Sequence, residues 1–385
     1  MKKRKPALTG CMERRVKMQR RWTEEEIWQW YREHEWISGF NFIPSTPAGG
    51  VYAMLQAYDH KNAFNEAAKE IALAASLGLN SVRLFLPFEL WRQEHDSFMA
   101  NLEEFISLLD FYHMTLMPVL FNDCTVPKRA YKEPVPGPQP EPVEGFFGGT
   151  SDNSFDEDTQ TGITVGYSVT DDSKMEPVIE AYVRELAKKY GQDDRVIIWN
   201  IWNELGNSGR EAMSLPMAKK VIGWLRDEDV KQPLTIEMWG AQVKGNYYEW
   251  LNNPCFHGEV DKENIELSDI ITFHFYGDYT HARRMVKFLK QFNRPLINTE
   301  WMHRPFNSLI QTHLPLWKRE KIGSYFFGLV NGKPQFHIVW DFIKPYPSVD
   351  TTVWMHDLYH ADFTPYDPEE LEVLRSCNKD KNIWS

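Results

Sequence analysis

Cysteine is scarce in this chain: four in 385 residues, at positions 11, 124, 255 and 377. They lie too far apart for a disulfide framework or a zinc site, so a reducing, cytoplasmic location is expected. Long apolar runs are missing as well, and no stretch is long enough to span a bilayer as a helix. Positive charge is in deficit. The net charge of −11 counts against a nucleic-acid partner. The basic residues that cluster do so at the start, from Lys2 to Arg21, and read as a disordered tail over 1–21. Leu8-Thr-Gly-Cys11 has the look of a lipoprotein cleavage box. No apolar h-region precedes it, so a secretory signal is not expected.

What is abundant is aromatic: 15 Trp, 16 Tyr and 23 Phe. Such a surplus suits either a core of large rings or a cleft that stacks the flat faces of sugars. With 42% hydrophobic and 25% charged residues the composition is that of an ordinary globular chain. Its length suits two average domains or one α/β barrel with insertions.

The order of elements favours the barrel, as a single domain over 22–385. Thr23 and Glu26 form a capping box that opens a short N-terminal helix, with Ile27, Trp28, Trp30 and Tyr31 as its apolar side. Strands are expected at 36–44, 80–86, 116–121, 196–204, 233–239, 270–276, 294–300 and 323–330, where β-branched and aromatic residues run together. Helical patterns alternate with them at 62–78, 98–113, 174–190, 212–226, 282–292 and 309–322, and Pro368 opens a last one. Eight strands alternating with helices predict a closed parallel (β/α)8 TIM barrel. After strand three the pattern breaks, with prolines at 127, 134, 136, 138, 140 and 142 followed by the acidic stretch 152–158. An insertion this long, leaving the carboxyl end of a strand, is expected to fold over the barrel mouth.

Chemistry in such a barrel gathers at the carboxyl ends of the strands. Strand four ends in Asn203-Glu204 and strand seven in Glu300, on roughly opposite sides of the mouth. Asn203 and Glu204 alone would also fit a strand that simply caps itself before a loop. Two carboxyls converging on one bound group are the machinery of glycoside hydrolysis, one as acid and one as nucleophile or base. Arg83 on strand two and Tyr276 at the end of strand six are placed to hydrogen-bond Glu300, and His274 to orient Glu204. Asn203 is expected to reach a sugar 2-hydroxyl. Arg83 also fits an ion pair in the barrel wall without a catalytic part. Asn122, Asp123, Trp239 and Trp340 complete the candidate substrate contacts. Glu237 reads either as a competing carboxylate or as a structural salt bridge, and Asp341 is equally open.

Trp202-Asn203-Glu204 and Thr299-Glu300-Trp301, each closing an apolar strand, together with Arg83 and His274-Phe-Tyr276, resemble the retaining (β/α)8 β-glycosidases of glycoside hydrolase clan A. The stretches 36–46 and 328–332 are similar to a cellulase-like group near family five and to β-galactosidase and β-glucuronidase catalytic domains. The resemblance extends over roughly residues 22–370, a domain-sized span. It implies that Glu204 is the acid/base and Glu300 the nucleophile, with a β-glycoside or oligosaccharide as partner and no metal or organic cofactor. Two departures stand out. Strand eight carries Tyr325-Phe-Phe327 where many clan members have Trp, which shifts the aromatic platform to Trp340 or Trp354. Strand three ends in Asn122-Asp123 without the histidine common in cellulases. The expected activity is retaining hydrolysis of short oligosaccharides or exo-ends. The alternatives are an endo-acting cellulase-, mannanase- or xylanase-like enzyme, a non-catalytic carbohydrate-binding barrel, and a metal hydrolase using His274, Asp123 and Glu237.

Overall fold

A computed structural model describes residues 20–147, 164–241, 243, 247–345, 347 and 349–384. Most of the basic tail and the acidic stretch 152–158 lie outside them. The strands are β1 (Ser38–Asn41), β2 (Ser81–Phe85), β3 (Thr115–Asn122), β4 (Trp199–Asn203), β5 (Leu234–Ile236), β6 (Ile271–His274), β7 (Leu296–Glu300) and β8 (Gly323–Phe327). They form one parallel sheet in the order β5-β4-β3-β2-β1-β8-β7-β6. The seam between β5 and β6 is drawn together by a parallel bridge from Met238 to Phe273. Its bonds are Met238 N–H to Thr272 O (3.0 Å) and His274 N–H to Met238 O (3.0 Å). The result is the expected (β/α)8 barrel.

Twelve helices surround or cap it among the described residues: α1 (Glu24–Glu33), α2 (Gly50–Leu55), α3 (His60–Ser76), α4 (Phe88–Gln93), α5 (His95–Phe111), α6 (Glu176–Tyr190), α7 (Leu215–Asp227), α8 (Tyr247–Asn252), α9 (Glu259–Leu267), α10 (Tyr279–Leu289), α11 (Ile310–Arg319) and α12 (Pro368–Asn378). Four of them, α2, α4, α8 and α9, escape the sequence pattern. Three are only six residues long, and an apolar face needs more turns than that to show a period.

α1 shows why the floor is closed. Thr23 Oγ1 accepts the Glu26 amide at 3.2 Å, and Glu26 Oε2 accepts the Thr23 amide at 2.8 Å, so both orphan donors of the first turn are satisfied. The helix buries Ile27 and Tyr31 against Ile37, Met117, Ile198, Ile270, Ile297 and Tyr325. The floor of the barrel is therefore apolar and sealed, and polar residues are left to the other end. Much of the tryptophan surplus is structural. Trp36, Trp199, Trp202, Trp250, Trp301 and Trp317 are among the largest fully buried side chains.

The chain after β3 runs as a strap along neighbouring loops. Gln93 Nε2 donates to Pro134 O (3.0 Å) and Glu133 Oε1 (2.8 Å). The Gln56 amide then brackets Gly137, accepting from its N–H at 2.8 Å and donating to its carbonyl at 3.0 Å. Gln335 receives the Gly145 N–H at 3.0 Å and donates to Val143 O at 2.8 Å, after which Phe146 meets Trp340 edge-on at 5.9 Å. The strap thus runs from β3 past the loops that follow β2 and β1 to the loop that follows β8.

Candidate active site

One fully buried cation organises the mouth. Arg83 rises from β2 with its side chain sealed from solvent, and a guanidinium in such a place must find a partner for each of its five N–H groups. It does. Nε donates to Asn200 Oδ1 (3.0 Å). Nη1 donates to Asn41 Oδ1 (2.7 Å) and Glu300 Oε1 (2.9 Å), and Nη2 to Asn203 Oδ1 (2.6 Å) and Glu237 Oε1 (2.9 Å). The barrel-wall ion pair and the contact to Glu300 are therefore the same side chain. Glu237 is fully buried on this hub, and its ordinary acidity is weakened by burial despite Arg83 beside it. It is a structural salt bridge rather than a competing carboxylate.

Glu300 closes β7. Besides Arg83 it accepts the Tyr276 hydroxyl on Oε2 at 2.8 Å. Glu204, just past β4, is held differently. Oε2 accepts Asn207 Nδ2 at 2.5 Å and Oε1 faces His274 Nδ1 at 2.8 Å. Burial outweighs the Asn207 bond and the more distant Arg83, and pushes the Glu204 carboxyl up to about 7 from an ordinary 4.5. His274 is kept neutral for the same reason, burial lowering its basicity against the pull of Glu300 and Glu237. Its Nδ1 also lies 3.5 Å from Glu300 Oε2, so the imidazole touches both carboxyls.

Glu204, His274 and Glu300 each bring one donor atom within 4.8 Å of the others. A nitrogen and two oxygens at that spacing can hold a divalent transition ion. They can equally flank one reacting carbon with two carboxyls. Asp123, which a metal hydrolase reading would add, is not among them.

The turn that aims Glu204 is strained. Its φ is +45°, an uncommon value for a residue with a side chain, and Gly206 follows at +93°. A Cβ on Gly206 would meet Glu211 O at 2.6 Å. The Gly206 N–H is fixed to Asp123 Oδ2 at 2.8 Å. Asp123 corrects the expectation of a sugar contact: it is fully buried, and its Oδ1 accepts from Trp202 Nε1 (2.9 Å), Arg210 Nε (2.9 Å) and Ser214 Oγ (2.7 Å). It anchors the loop after Glu204 instead.

Of the other expected contacts, Asn203 gives Oδ1 to Arg83 and Nδ2 to Asn122 Oδ1 at 2.8 Å, which leaves one N–H for a ligand. Trp239 lies against the loop that follows Glu204, donating from Nε1 to Leu205 O at 3.1 Å. Trp340 meets Tyr276 edge-on at 5.5 Å, and His303 and Phe146 extend that wall. Trp354 instead stacks on Tyr366 at 4.6 Å, and Asp341 is an exposed partner of Lys344. Sequence reasoning missed Asn41, Asn200 and Asn207. The first two sit inside apolar strands, where a buried amide signals a polar partner.

A family model described as Cellulase (glycosyl hydrolase family 5) matches residues 152–356, more than half of the chain. The chain belongs to glycosyl hydrolase family 5. This family 5 hydrolase is similar in fold to an exo-β-1,4-mannosidase from Opitutaceae bacterium strain TAV5, at 15% identity over 90% of this chain and 60% of that one, with a TM-score of 0.55. It is also similar to an endo-β-1,4-glucanase from Xanthomonas axonopodis pv. citri, at 13% identity over 90% and 99% of the two chains, with a TM-score of 0.52. A family 5 mannosidase from Rhizomucor miehei superposes at 0.50, with 14% identity over 90% and 92%. No curated protein matches the sequence. Among the described residues, no helix of the hydrolase is long and apolar enough to cross a membrane. The non-catalytic barrel reading falls away with the family assignment.

Proposed function

We propose that this hydrolase cleaves β-glycosidic bonds with retention, with Glu204 as acid/base and Glu300 as nucleophile, on short oligosaccharides or the ends of chains. The observation that carries the reading is the unequal surroundings of two converging carboxyls. Glu204, pushed up to about 7, holds a proton near neutrality and can give it to the departing glycosidic oxygen. Glu300 accepts two donors, the Arg83 guanidinium and the Tyr276 hydroxyl, which is what an anionic carboxylate seeks. It attacks the anomeric carbon as the C–O bond breaks, forming a glycosyl ester. Glu204, now a carboxylate, takes a proton from water, and the hydroxide equivalent displaces Glu300. The spacing within 4.8 Å supports this order, since inversion needs roughly 6.5–9.5 Å to admit water between the groups.

The preference for short substrates and ends is supported by the strap, which walls the mouth on the side of β1, β2 and β8. A 2-deoxy-2-fluoro-β-glycoside with a good leaving group tests the chemistry. It is expected to inactivate the enzyme and add one sugar mass to the peptide containing Glu300. A label elsewhere, or turnover without a covalent intermediate, overturns the assignment.

A further inference from the structure

The chain leaving Glu300 is held by three successive carbonyls. Glu300 O accepts the amide of Phe275, just past β6, at 3.0 Å, and Trp301 O accepts the amide of Phe327, the last residue of β8, at 3.1 Å. The sheet ends there. The third carbonyl, that of Met302, is taken by a side chain from a distant part of the sequence: His356 Nδ1 donates to it at 2.5 Å. Met302 needs the support. Its φ is +76°, a left-handed value that a residue with a side chain holds only where its surroundings impose it.

His356 is itself fixed by the turn it supports. Arg304, two residues past Met302, donates from its amide to Met355 O at 3.2 Å, from Nη1 to His356 O at 2.6 Å and from Nη2 to Asp357 O at 2.8 Å. The imidazole is fully buried beside Phe327 and Tyr276, with ring centroids 5.3 and 5.8 Å away, and the Tyr276 hydroxyl rests on Glu300 Oε2.

Packing alone does not account for a histidine in this place. A carbonyl can only accept, so Nδ1 carries a proton. Burial lowers the basicity of the ring to about 3, against the pull of the Met302 carbonyl, so the ring is neutral and Nε2 is bare. Nε2 has no partner among the described residues. A phenylalanine would fill the same space without burying that unmet nitrogen. What phenylalanine could not make is the bond to Met302.

We propose that His356 is a positioning residue for Glu300, holding the turn that follows it so that its carboxylate keeps its aim at the anomeric carbon. This rests on the reading of Glu300 as nucleophile. His356 touches none of the reacting atoms; it acts through the backbone of Met302.

The test follows covalent trapping of Glu300 by 2,4-dinitrophenyl 2-deoxy-2-fluoro-β-glucoside or the matching β-mannoside, whichever labels wild type faster. His356→Phe keeps a ring and removes the donor. Its trapping rate constant should fall about tenfold, while the concentration giving half the maximal rate stays within about twofold, because attack loses alignment and the ground-state complex does not. His356→Asn carries an amide nitrogen at the same branch of the side chain and should recover all but about threefold of the rate. Ser308→Ala is a smaller change that frees the Met302 amide from Ser308 Oγ (3.3 Å), and it should slow trapping about threefold. An unchanged rate constant in folded His356→Phe, a loss that asparagine does not recover, or a weakening of binding as large as the loss of rate overturns the role. If neither His356 variant folds, unchanged trapping in Ser308→Ala overturns it. Absence of label on Glu300 in wild type removes the nucleophile reading and this role with it, whereas normal labelling of wild type with unchanged rates in the variants removes the role alone.

Discussion

Glu204 and Glu300 are the same residue type, lie at the same end of one barrel and share His274, yet their surroundings differ in kind. Glu300 is met by a fixed cation and a phenol. Glu204 is met by an amide and a neutral imidazole in a site where burial dominates. Under the proposed assignment, this difference is what lets one fold run acid and nucleophilic chemistry with identical side chains: the donors are distributed unequally, and the proton goes where the cation is not. Arg83 is the source of the asymmetry. It touches Glu300 directly and reaches Glu204 only through space.

The largest break in this comparison is removal of either carboxyl. Glu300→Ala is expected to lower kcat by about 10⁵ on every substrate, because the covalent path is gone. Glu204→Ala is expected to cost about 10²–10⁴ on a disaccharide and much less on a 2,4-dinitrophenyl glycoside, which departs without a proton. Steady-state kinetics on both substrates check the pair of values. Equal losses on both substrates in the Glu204 variant would remove its role as acid.

Arg83→Met comes next. It strips a buried cation from two buried carboxyls and leaves them unpaired, so stability should fall by about 3–5 kcal/mol in urea unfolding. Glu237→Gln, which leaves Arg83 its bond to Glu300, should cost less. A smaller effect is expected from Tyr276→Phe, which deletes one hydrogen bond to a charged group and should lower kcat/KM about tenfold to a hundredfold.

The smallest effect concerns pH. With the Glu204 carboxyl at about 7, kcat/KM for a disaccharide should decline as pH rises through that value, because the acid form is consumed. Asn207→Ala removes the bond that favours the carboxylate, so this limb should move to higher pH by less than about one unit. The same group gives the fold a pH dependence. Its folded value is raised, so its contribution is complete below 4.5 and is lost as pH rises through about 7. Glu204→Gln should flatten that part of a stability–pH curve.

The barrel was legible because its strands are apolar runs that end at polar residues, and Glu204 and Glu300 stand where two of those runs stop. Arg83 was legible for a related reason, being a lone charge inside a strand, and so was its bond to Glu300, although its other four partners were not. Three of these are asparagines 41, 200 and 203, and an asparagine in sequence does not reveal which group its amide will face. Asp123 shows the limit from the other side. Its position at a strand end suggested a sugar contact. The strained turn at Glu204 to Gly206 needs an acceptor for its amide, however, and Asp123 is drawn inward to supply it with one oxygen while the other accepts from Arg210 and Ser214. Turn strain of this kind depends on φ, and no residue pattern displays it before the chain is folded.

The division of labour between the two carboxyls is tested most directly by the anomer of the azide product. With azide and a 2,4-dinitrophenyl β-glycoside, Glu204→Ala should yield the β-glycosyl azide, since Glu300 still forms the ester and azide replaces water without needing a base. Glu300→Ala should yield the α-glycosyl azide, with azide entering the space of the missing carboxylate. The same anomer from both variants, or the reverse assignment, would contradict the account.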